Sequence, residues 1–164
     1  MFFHSNSCTG CKETIAKVLP DREVSKFIAD NFVPLMYEVG EQASKDLMKR
    51  YEVQWTPTFV VADVKGDTVY RWEGYLPADE FKAQMLMSEA KTAFKAENFD
   101  RAEKCYGTLA EKYPKSDIAP EAVYYLGVSR YKRTEDPSHL KNTNEELKRK
   151  YPDNVWTKKA SVWG

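Results

Sequence analysis

The pattern of apolar residues changes once along the chain, near Pro77, and this change restricts the fold more than any single motif does. Up to Gly74, short β-rich runs alternate with amphipathic helical stretches, which is typical of an α/β layer structure. After Pro77 the apolar residues recur only with helical spacing. We therefore predict an α/β part followed by an all-α part.

In the α/β part, breaking and capping residues indicate where the elements begin and end. Pro20 ends the first helix, because proline cannot continue the helical hydrogen-bond pattern, and Asp21 can cap the next helix. Lys65–Asp67 separates two runs rich in β-branched and aromatic residues, which predicts a hairpin. The predicted strands are Met1–His4, Phe32–Val39, Thr58–Val64 and Thr68–Gly74; the predicted helices are Cys8–Leu19, a segment after Asp21 that carries Val24, Phe27, Ile28 and Phe32, and Glu41–Tyr51.

The all-α part contains an internal echo. The segment Glu111–Pro114 recurs as Arg149–Pro152, and a period in the high thirties made of helix pairs is typical of a helical repeat array. The pattern resembles a tetratricopeptide repeat at Ala90, Phe99, Ala102, Tyr106 and Pro114. The predicted helices are 77–97, Phe99–Tyr113, Pro120–Lys132, Pro137–Tyr151 and a short segment Val155–Trp163.

Charge and cysteine content exclude several classes of protein. The 25 basic residues balance 25 acidic ones, so the chain has no excess positive charge to attract nucleic acid or an acidic membrane surface. No apolar run approaches the roughly 18 residues that a membrane-spanning helix needs. Three cysteines are too few for a fold that depends on disulfides. We expect neither nucleic acid nor a membrane among the partners.

The chemistry of the chain is concentrated in Cys8–Cys11 (CTGC), where the first predicted strand gives way to the first predicted helix. The thiolate is the reactive form of cysteine, and a helix N-terminus stabilises its negative charge. Two intervening residues let one sulfur atom reach the other, so Cys11 can resolve a mixed disulfide formed at Cys8. We predict that Cys8 is the exposed nucleophile and Cys11 the resolving thiol, and that no cofactor is needed beyond this pair.

The residues around this motif resemble the thioredoxin superfamily over Met1 to Met87. The matching features are Phe-x4-Cys-x-x-Cys-Lys at Phe3–Lys12, Trp-Thr-Pro-Thr at Trp55–Thr58 before an apolar strand, and Gly74 after the hairpin. The resemblance implies a thioredoxin-like fold for residues 1–87. We assign residues 88–164 to a tetratricopeptide-like helical extension that shares the helix 77–97 with this domain.

The same resemblance implies which residues bind the substrate. In the family, the proline matching Pro57 is cis and lies beside the active-site disulfide, and the backbone of the residue matching Thr56 pairs with the substrate chain. The residue matching Trp55 lines the substrate groove, and the loop matching Gly74 completes it. The implied substrates are protein thiols or disulfides.

Departures from the family pattern affect the expected activity. Ser7 replaces the tryptophan of thioredoxins proper, and Thr9-Gly10 replaces their Gly-Pro dipeptide. Phe2 stands where the family has a buried acidic residue that assists proton transfer to the second cysteine. We therefore expect slow deprotonation of Cys11, and the direction of electron flow stays open.

The first strand, Met1–His4, is short for the central strand of a sheet. From this we hypothesise that native residues precede Met1, so that the thioredoxin-like part lacks its N-terminal portion. The low cysteine content suits a reducing compartment, and we predict a cytoplasmic location. A periplasmic or exported location is the alternative, because an export signal could lie in the lacking portion.

Several residues also have simpler interpretations. A CxxC pair can form half of a zinc site, but there is no second CxxC, and the other candidate ligands are His4, Cys105 and His139; we predict no metal site. His4 either tunes the Cys8 thiolate or only fills space. Cys105 shares a helical stripe with Tyr106, so we expect it to pack in the core.

Two functions of different classes follow from these residues. The first is a thiol-disulfide oxidoreductase that exchanges disulfides with protein substrates through Cys8 and Cys11. The alternative is a non-catalytic thioredoxin-like scaffold or redox sensor that binds a protein partner through its tetratricopeptide-like part. The two differ in the reactivity of Cys8, because a catalyst must cycle between the thiol and disulfide states.

Overall fold

A mixed four-stranded sheet is the centre of the first of two units into which the chain divides. The computed structural model describes residues 1–164, and the units are Met1–Ser88 and Glu89–Gly164. The strands are β1 (Phe2–His4), β2 (Met36–Glu38), β3 (Thr58–Ala62) and β4 (Thr68–Glu73). The α-helices are α1 (Thr9–Glu13), α2 (Arg22–Asn31), α3 (Lys45–Arg50), α4 (Ala78–Lys95), α5 (Phe99–Lys112), α6 (Ala119–Thr134), α7 (Ser138–Lys150) and α8 (Val155–Ala160).

The strand order in the sheet is β2-β1-β3-β4. β1 pairs in parallel with β2 and antiparallel with β3, and β3 and β4 form the antiparallel hairpin expected around Lys65–Asp67. The prediction of an α/β part followed by an all-α part is therefore confirmed. The topology also brings the carboxyl ends of β1, β2 and β4 and the amino end of β3 to one edge of the sheet.

The two faces of the sheet carry different apolar clusters, because successive side chains of a strand point to opposite faces. On one face the ring of Phe2 stacks on Phe59 at 4.7 Å between centroids, and Phe59 stacks on Trp72 at 4.8 Å. Cys11 and Val24 belong to the same cluster. On the other face are Phe3, Tyr51, Val53 and Val60.

Two predicted elements of the α/β part are shorter or more irregular than expected. The strand predicted at Phe32–Val39 is confined to β2, since Pro34 has no backbone N–H to donate. The helix predicted at Cys8–Leu19 is interrupted: after α1 the chain forms a π-helical turn at Thr14–Val18, closed by Leu19 N–H donating to the Thr14 carbonyl at 2.9 Å.

Thr14 lies where the interruption begins. Its hydroxyl donates to the Gly10 carbonyl at 2.8 Å, a bond of the type that often accompanies a bend in a helix. The helix predicted at Glu41–Tyr51 likewise begins as a 3-10 turn, Gln42–Ser44, before α3. By contrast, α2 begins as expected, with the Asp21 carboxylate accepting from the amides of Glu23 and Val24, both at 3.0 Å.

The second unit contains helices only, and its predicted helices match α5 to α8 within two residues, apart from a final 3-10 turn at Ser161–Trp163. A buried cluster of Ala110, Val123, Leu147 and Ala160 joins α5, α6, α7 and α8. None of the helices described is both long and apolar enough to cross a membrane. The assignment of this unit to tetratricopeptide repeats stays a prediction.

Two helical glycines of this unit have different surroundings. A Cβ atom added to Gly127 on α6 would lie 2.7 Å from the Cβ atom of Thr143 on α7, whereas one added to Gly107 on α5 would lie 3.8 Å from Leu126. The first distance is a clash and the second an ordinary contact. Gly127 therefore allows α6 and α7 to approach closely.

We expect Gly127→Ala to lower the free energy of unfolding by about 1–3 kcal/mol, since overpacking forces backbone shifts. Gly107→Ala is the matched control, because it makes the same change in a helix interior with room for the methyl group. We expect it to raise stability by up to about 1 kcal/mol through helix propensity. Urea unfolding followed by circular dichroism measures the stability of both variants. Equal effects of the two substitutions would contradict the close approach of α6 and α7 at Gly127.

Candidate active site at the Cys8–Cys11 pair

The CxxC pair lies at the edge of the sheet where β1 ends and α1 begins. Cys8 is the N-cap of α1, and its Sγ accepts a hydrogen bond from the Cys11 amide at 3.1 Å. The two cysteines form a disulfide with a Cα–Cα separation of 5.3 Å. Cys8 is half-buried, whereas Cys11 is 0 % exposed. Of the two cysteines, only Cys8 can be reached by a thiol or disulfide in solution.

The surroundings of the two cysteines differ in polarity as well as in exposure. The backbone N–H aimed at Sγ of Cys8 stabilises negative charge on that atom. Cys11 instead packs in the apolar cluster with Phe2 and Phe59, where burial disfavours a charged thiolate. The two sulfur atoms therefore have different environments, a backbone N–H donor at Cys8 and an apolar cluster at Cys11.

Pro57 brings a distant segment against the turn between the cysteines. The Thr56–Pro57 peptide bond is cis, and the Thr58 hydroxyl donates to the Trp55 carbonyl at 2.7 Å, which orders the segment before β3. A Cβ atom added to Gly10 would lie 3.3 Å from Cδ of Pro57. Pro57 is thus in close contact with the CxxC turn.

The other residues expected to bind substrate lie around the same edge. Gly74 has a φ of +89°, which favours glycine, and its N–H donates to the Pro57 carbonyl at 2.8 Å. Thr56 is half-buried, and the Trp55 side chain is 67 % exposed. The structure therefore joins Gly74 and Pro57 directly and leaves the indole of Trp55 accessible to solvent.

His4 is the last residue of β1 and is half-buried. Its ring lies 5.4 Å from the ring of Phe2, between centroids. Phe2 itself is 6 % exposed, so the position of the family's acidic residue is filled here by an apolar ring. A role of His4 in tuning the Cys8 thiolate stays a prediction.

Sequence reasoning missed two pairs of contacting residues at this edge, and the first pair is Gly10 and Tyr75. A Cβ atom added to Gly10 would lie 3.2 Å from Cβ of Tyr75, so Tyr75 lies against the CxxC turn beside Pro57. The glycine inside the motif was the sequence signal that another segment packs there. The other pair is Asn6 and Glu38, which are hydrogen-bonded to each other. No sequence signal connects those two.

The third cysteine does not belong to the site. Cys105 is a free, half-buried thiol on α5, and burial, aided by the nearby Glu89 carboxylate, raises its pKa to about 11. Among the described residues, no group of three or more histidine, cysteine and acidic side chains is placed to hold a metal ion. We expected Cys105 to pack in the core, and the structure places it at the border of the interior, half-buried.

Comparisons with known proteins identify the first half of the chain. A sequence model of the family described as Thioredoxin-like domain matches residues 1–87. A solved structure, the solution structure of a thioredoxin from Thermus thermophilus, is 32% identical over 52% of this chain and 68% of that chain, with a TM-score of 0.48. A search of curated proteins gives no match.

We expect Gly10→Val to lower the free energy of unfolding by about 1–3 kcal/mol, since the added methyl groups meet the Pro57 ring and the Cβ atom of Tyr75. Thr9→Val is the matched control, because Thr9 is exposed in the same helical turn. We expect that control to stay within about 0.5 kcal/mol of the wild type. Chemical unfolding measures the difference, and equal stability of the two variants would count against the close packing over Gly10.

We expect Cys105 to resist alkylation in the native, reduced protein at pH 7. A thiol whose pKa is raised from 9.0 to about 11 has roughly a hundredfold less thiolate at neutral pH. Its labelling rate should rise about tenfold per pH unit between pH 7 and 10. Mass spectrometry after timed iodoacetamide treatment measures this, with urea-unfolded protein as the control; fast native labelling at pH 7 would contradict the raised pKa.

Proposed function

The chain belongs to the thioredoxin-like family, and from that premise we propose that it is an enzyme that exchanges disulfides with protein substrates through Cys8 and Cys11. The observation that carries the proposal is the asymmetry of the pair: a half-buried Cys8 bonded to a fully buried Cys11, beside Pro57. Members of this family act without a cofactor beyond the cysteine pair. The general kind of activity, thiol-disulfide oxidoreduction, follows from the family and the CxxC pair.

The proposed reaction moves two electrons in two displacement steps. The Cys8 thiolate attacks one sulfur of the substrate disulfide, a bond from that sulfur to Cys8 forms, the substrate S–S bond breaks, and the released thiolate takes up a proton. Cys11 then loses its proton and attacks Sγ of Cys8, which releases the second substrate thiol. The substrate is reduced and Cys8–Cys11 is oxidised; the reverse sequence oxidises a substrate dithiol.

The second step is proposed to be the slower one. The sulfur of Cys11 lies in an apolar cluster, and the position from which a carboxylate assists its deprotonation in the family is filled by the ring of Phe2. A buried thiol without a nearby base forms thiolate rarely. The mixed disulfide at Cys8 should therefore be long-lived compared with that of thioredoxins proper.

We propose that the substrate chain binds at the edge formed by Trp55, Thr56, Pro57 and Gly74. The backbone of Thr56 would pair with an extended substrate segment, which supplies binding energy without requiring a particular sequence. The exposed indole of Trp55 offers an apolar surface beside that segment. His4, at the end of β1, is proposed to tune the Cys8 thiolate.

The remaining proposals concern the parts outside the site. Residues 1–87 form the catalytic domain, and residues 88–164, with the shared helix 77–97, form the tetratricopeptide-like extension, which is proposed to recruit a protein partner. The cytoplasmic location is proposed on the low cysteine content of the chain.

The mechanism is tested by exchanging each cysteine for serine in the full-length chain. We expect Cys8→Ser to abolish turnover of a protein disulfide, since the attacking sulfur is gone. We expect Cys11→Ser to accumulate a mixed disulfide with the substrate, because the resolving thiol is gone. Non-reducing electrophoresis and intact mass spectrometry detect the adduct.

Cys105→Ser is the control for this series and should retain the activity of the wild type, because Cys105 lies outside the site. Trapping by neither cysteine variant, or an inert Cys8–Cys11 bond under a dithiothreitol series, would exclude catalysis. The protein would then have to be a scaffold or a sensor that binds its partner without turnover.

A further inference from the structure

The loop that carries Cys8 from the sheet to α1 consists of three small polar residues. Ser5 and Ser7 contact each other through their hydroxyl oxygens at 3.0 Å, and the Ser7 amide donates to the Ser5 hydroxyl at 3.3 Å. The Cys8 amide donates to the Ser5 carbonyl at 3.1 Å. These bonds shape the loop internally, but they do not attach it to the sheet.

The attachment to the sheet is made by Asn6 and Glu38, which lie 32 residues apart in the chain. The Asn6 side-chain amide donates to Oε2 of Glu38 at 2.7 Å, and the Asn6 backbone N–H approaches Oε1 at 3.3 Å. One carboxylate therefore accepts from the backbone N–H and from the side-chain amide of the same residue. Bonds to an ionised acceptor are roughly twice as strong as neutral ones, and a two-point contact also fixes orientation.

Glu38 is well placed to serve as this anchor. It is the last residue of β2 and pairs with His4, the last residue of β1, in the parallel register. Both strands end at the edge of the sheet where the CxxC motif begins. Glu38 is half-buried, so its side chain reaches the loop without being enclosed in the core. The rigid strand thus presents a fixed acceptor to a loop that has no secondary structure of its own.

We propose that Glu38 is a positioning residue for Cys8 and that it acts through Asn6. Asn6 stands two residues before Cys8, so holding its backbone limits where Cys8 lies relative to Cys11. Holding two reacting groups in place raises their effective concentration, so this anchor favours closure of the Cys8–Cys11 disulfide. The proposal rests on the proposed oxidoreductase function. It adds a residue that influences the equilibrium between the dithiol and disulfide forms of Cys8 and Cys11.

A carboxylate near a thiolate can also act through its charge alone, and the two modes predict different variants. If Glu38 acts by position, Asn6→Ala must reproduce most of the effect of Glu38→Ala, because it removes the shorter of the two bonds while leaving the charge of Glu38 in place. Glu38→Gln should have an effect between those of the wild type and Glu38→Ala, because its one amide oxygen can accept from only one of the two Asn6 donors. If Glu38 acts by charge, Glu38→Gln must match Glu38→Ala, and Asn6→Ala must be silent.

The experiment measures the equilibrium between the full-length protein and a dithiothreitol series, with alkylation and mass spectrometry reporting the fraction of Cys8–Cys11 disulfide. We expect Glu38→Ala and Asn6→Ala each to lower the equilibrium constant for disulfide formation about fivefold, since the loop is released. The double variant should be lowered about fivefold as well, because the two residues form one unit. Glu38→Gln should lie within about twofold of the wild type.

Glu41→Ala is the matched control, since it removes an exposed acidic side chain three residues beyond Glu38, and it should not change the equilibrium. Unchanged equilibria in Glu38→Ala and Asn6→Ala, or a double variant with the product of the two single effects, would overturn the positioning role. Equal effects of Glu38→Gln and Glu38→Ala with a silent Asn6→Ala would also overturn it, in favour of charge.

The result is separable from the test of the proposed function. If the wild-type protein cycles its disulfide and all these variants have the same equilibrium constant as the wild type, only the role of Glu38 is excluded. If the Cys8–Cys11 bond of the wild-type protein never cycles, the proposed oxidoreductase function is excluded. Circular dichroism of each variant shows whether it is folded, and Glu38→Gln, which keeps an acceptor for Asn6, provides the comparison if Glu38→Ala is unstable.

Discussion

Cys11 belongs both to the disulfide and to the apolar core, and the geometry of the site depends on this double position. Its side chain is 0 % exposed and packs in one cluster with Phe2, Val24 and Phe59. Packing in a core is highly specific in position, because interiors are as dense as organic crystals. The buried sulfur of Cys11 therefore acts as a fixed point, and the bond to it determines where Cys8 can lie.

The rest of the site assembles because the sheet order brings four chain segments to one edge. β1 and β3 are antiparallel neighbours, and β4 is antiparallel to β3, so the end of β1 meets the start of β3 and the end of β4. Pro57 precedes β3 and Gly74 follows β4, and their backbones are hydrogen-bonded. Gly10 has no side chain to separate the CxxC turn from this pair. Close approach of backbones, and not a set of long polar side chains, therefore builds this edge of the sheet.

The parts of the structure that could be predicted are those set by local pattern. The hairpin around Gly66, the capping of α2 by Asp21 and the helices of the second unit follow from turn chemistry and periodicity, which act within a few residues. The contact between Asn6 and Glu38 could not be predicted, because it depends on the register of β1 and β2, which no local pattern encodes. The π-helical turn after α1 could not be predicted either, because the apolar spacing of Thr14–Val18 does not distinguish it from an ordinary helical turn.

The three cysteines show why residue type alone does not assign a role. Cys8 has a backbone N–H directed at its sulfur and partial access to solvent, which suits a nucleophile. Cys11 is one helical turn away but faces the apolar core, which suits a thiol that reacts only with its neighbour. Cys105 is a free cysteine, and burial raises the pKa of its thiol to about 11, so it stays protonated at neutral pH. The differences arise from where the fold places each sulfur atom, and they make the pair at the end of β1 the centre of reactivity.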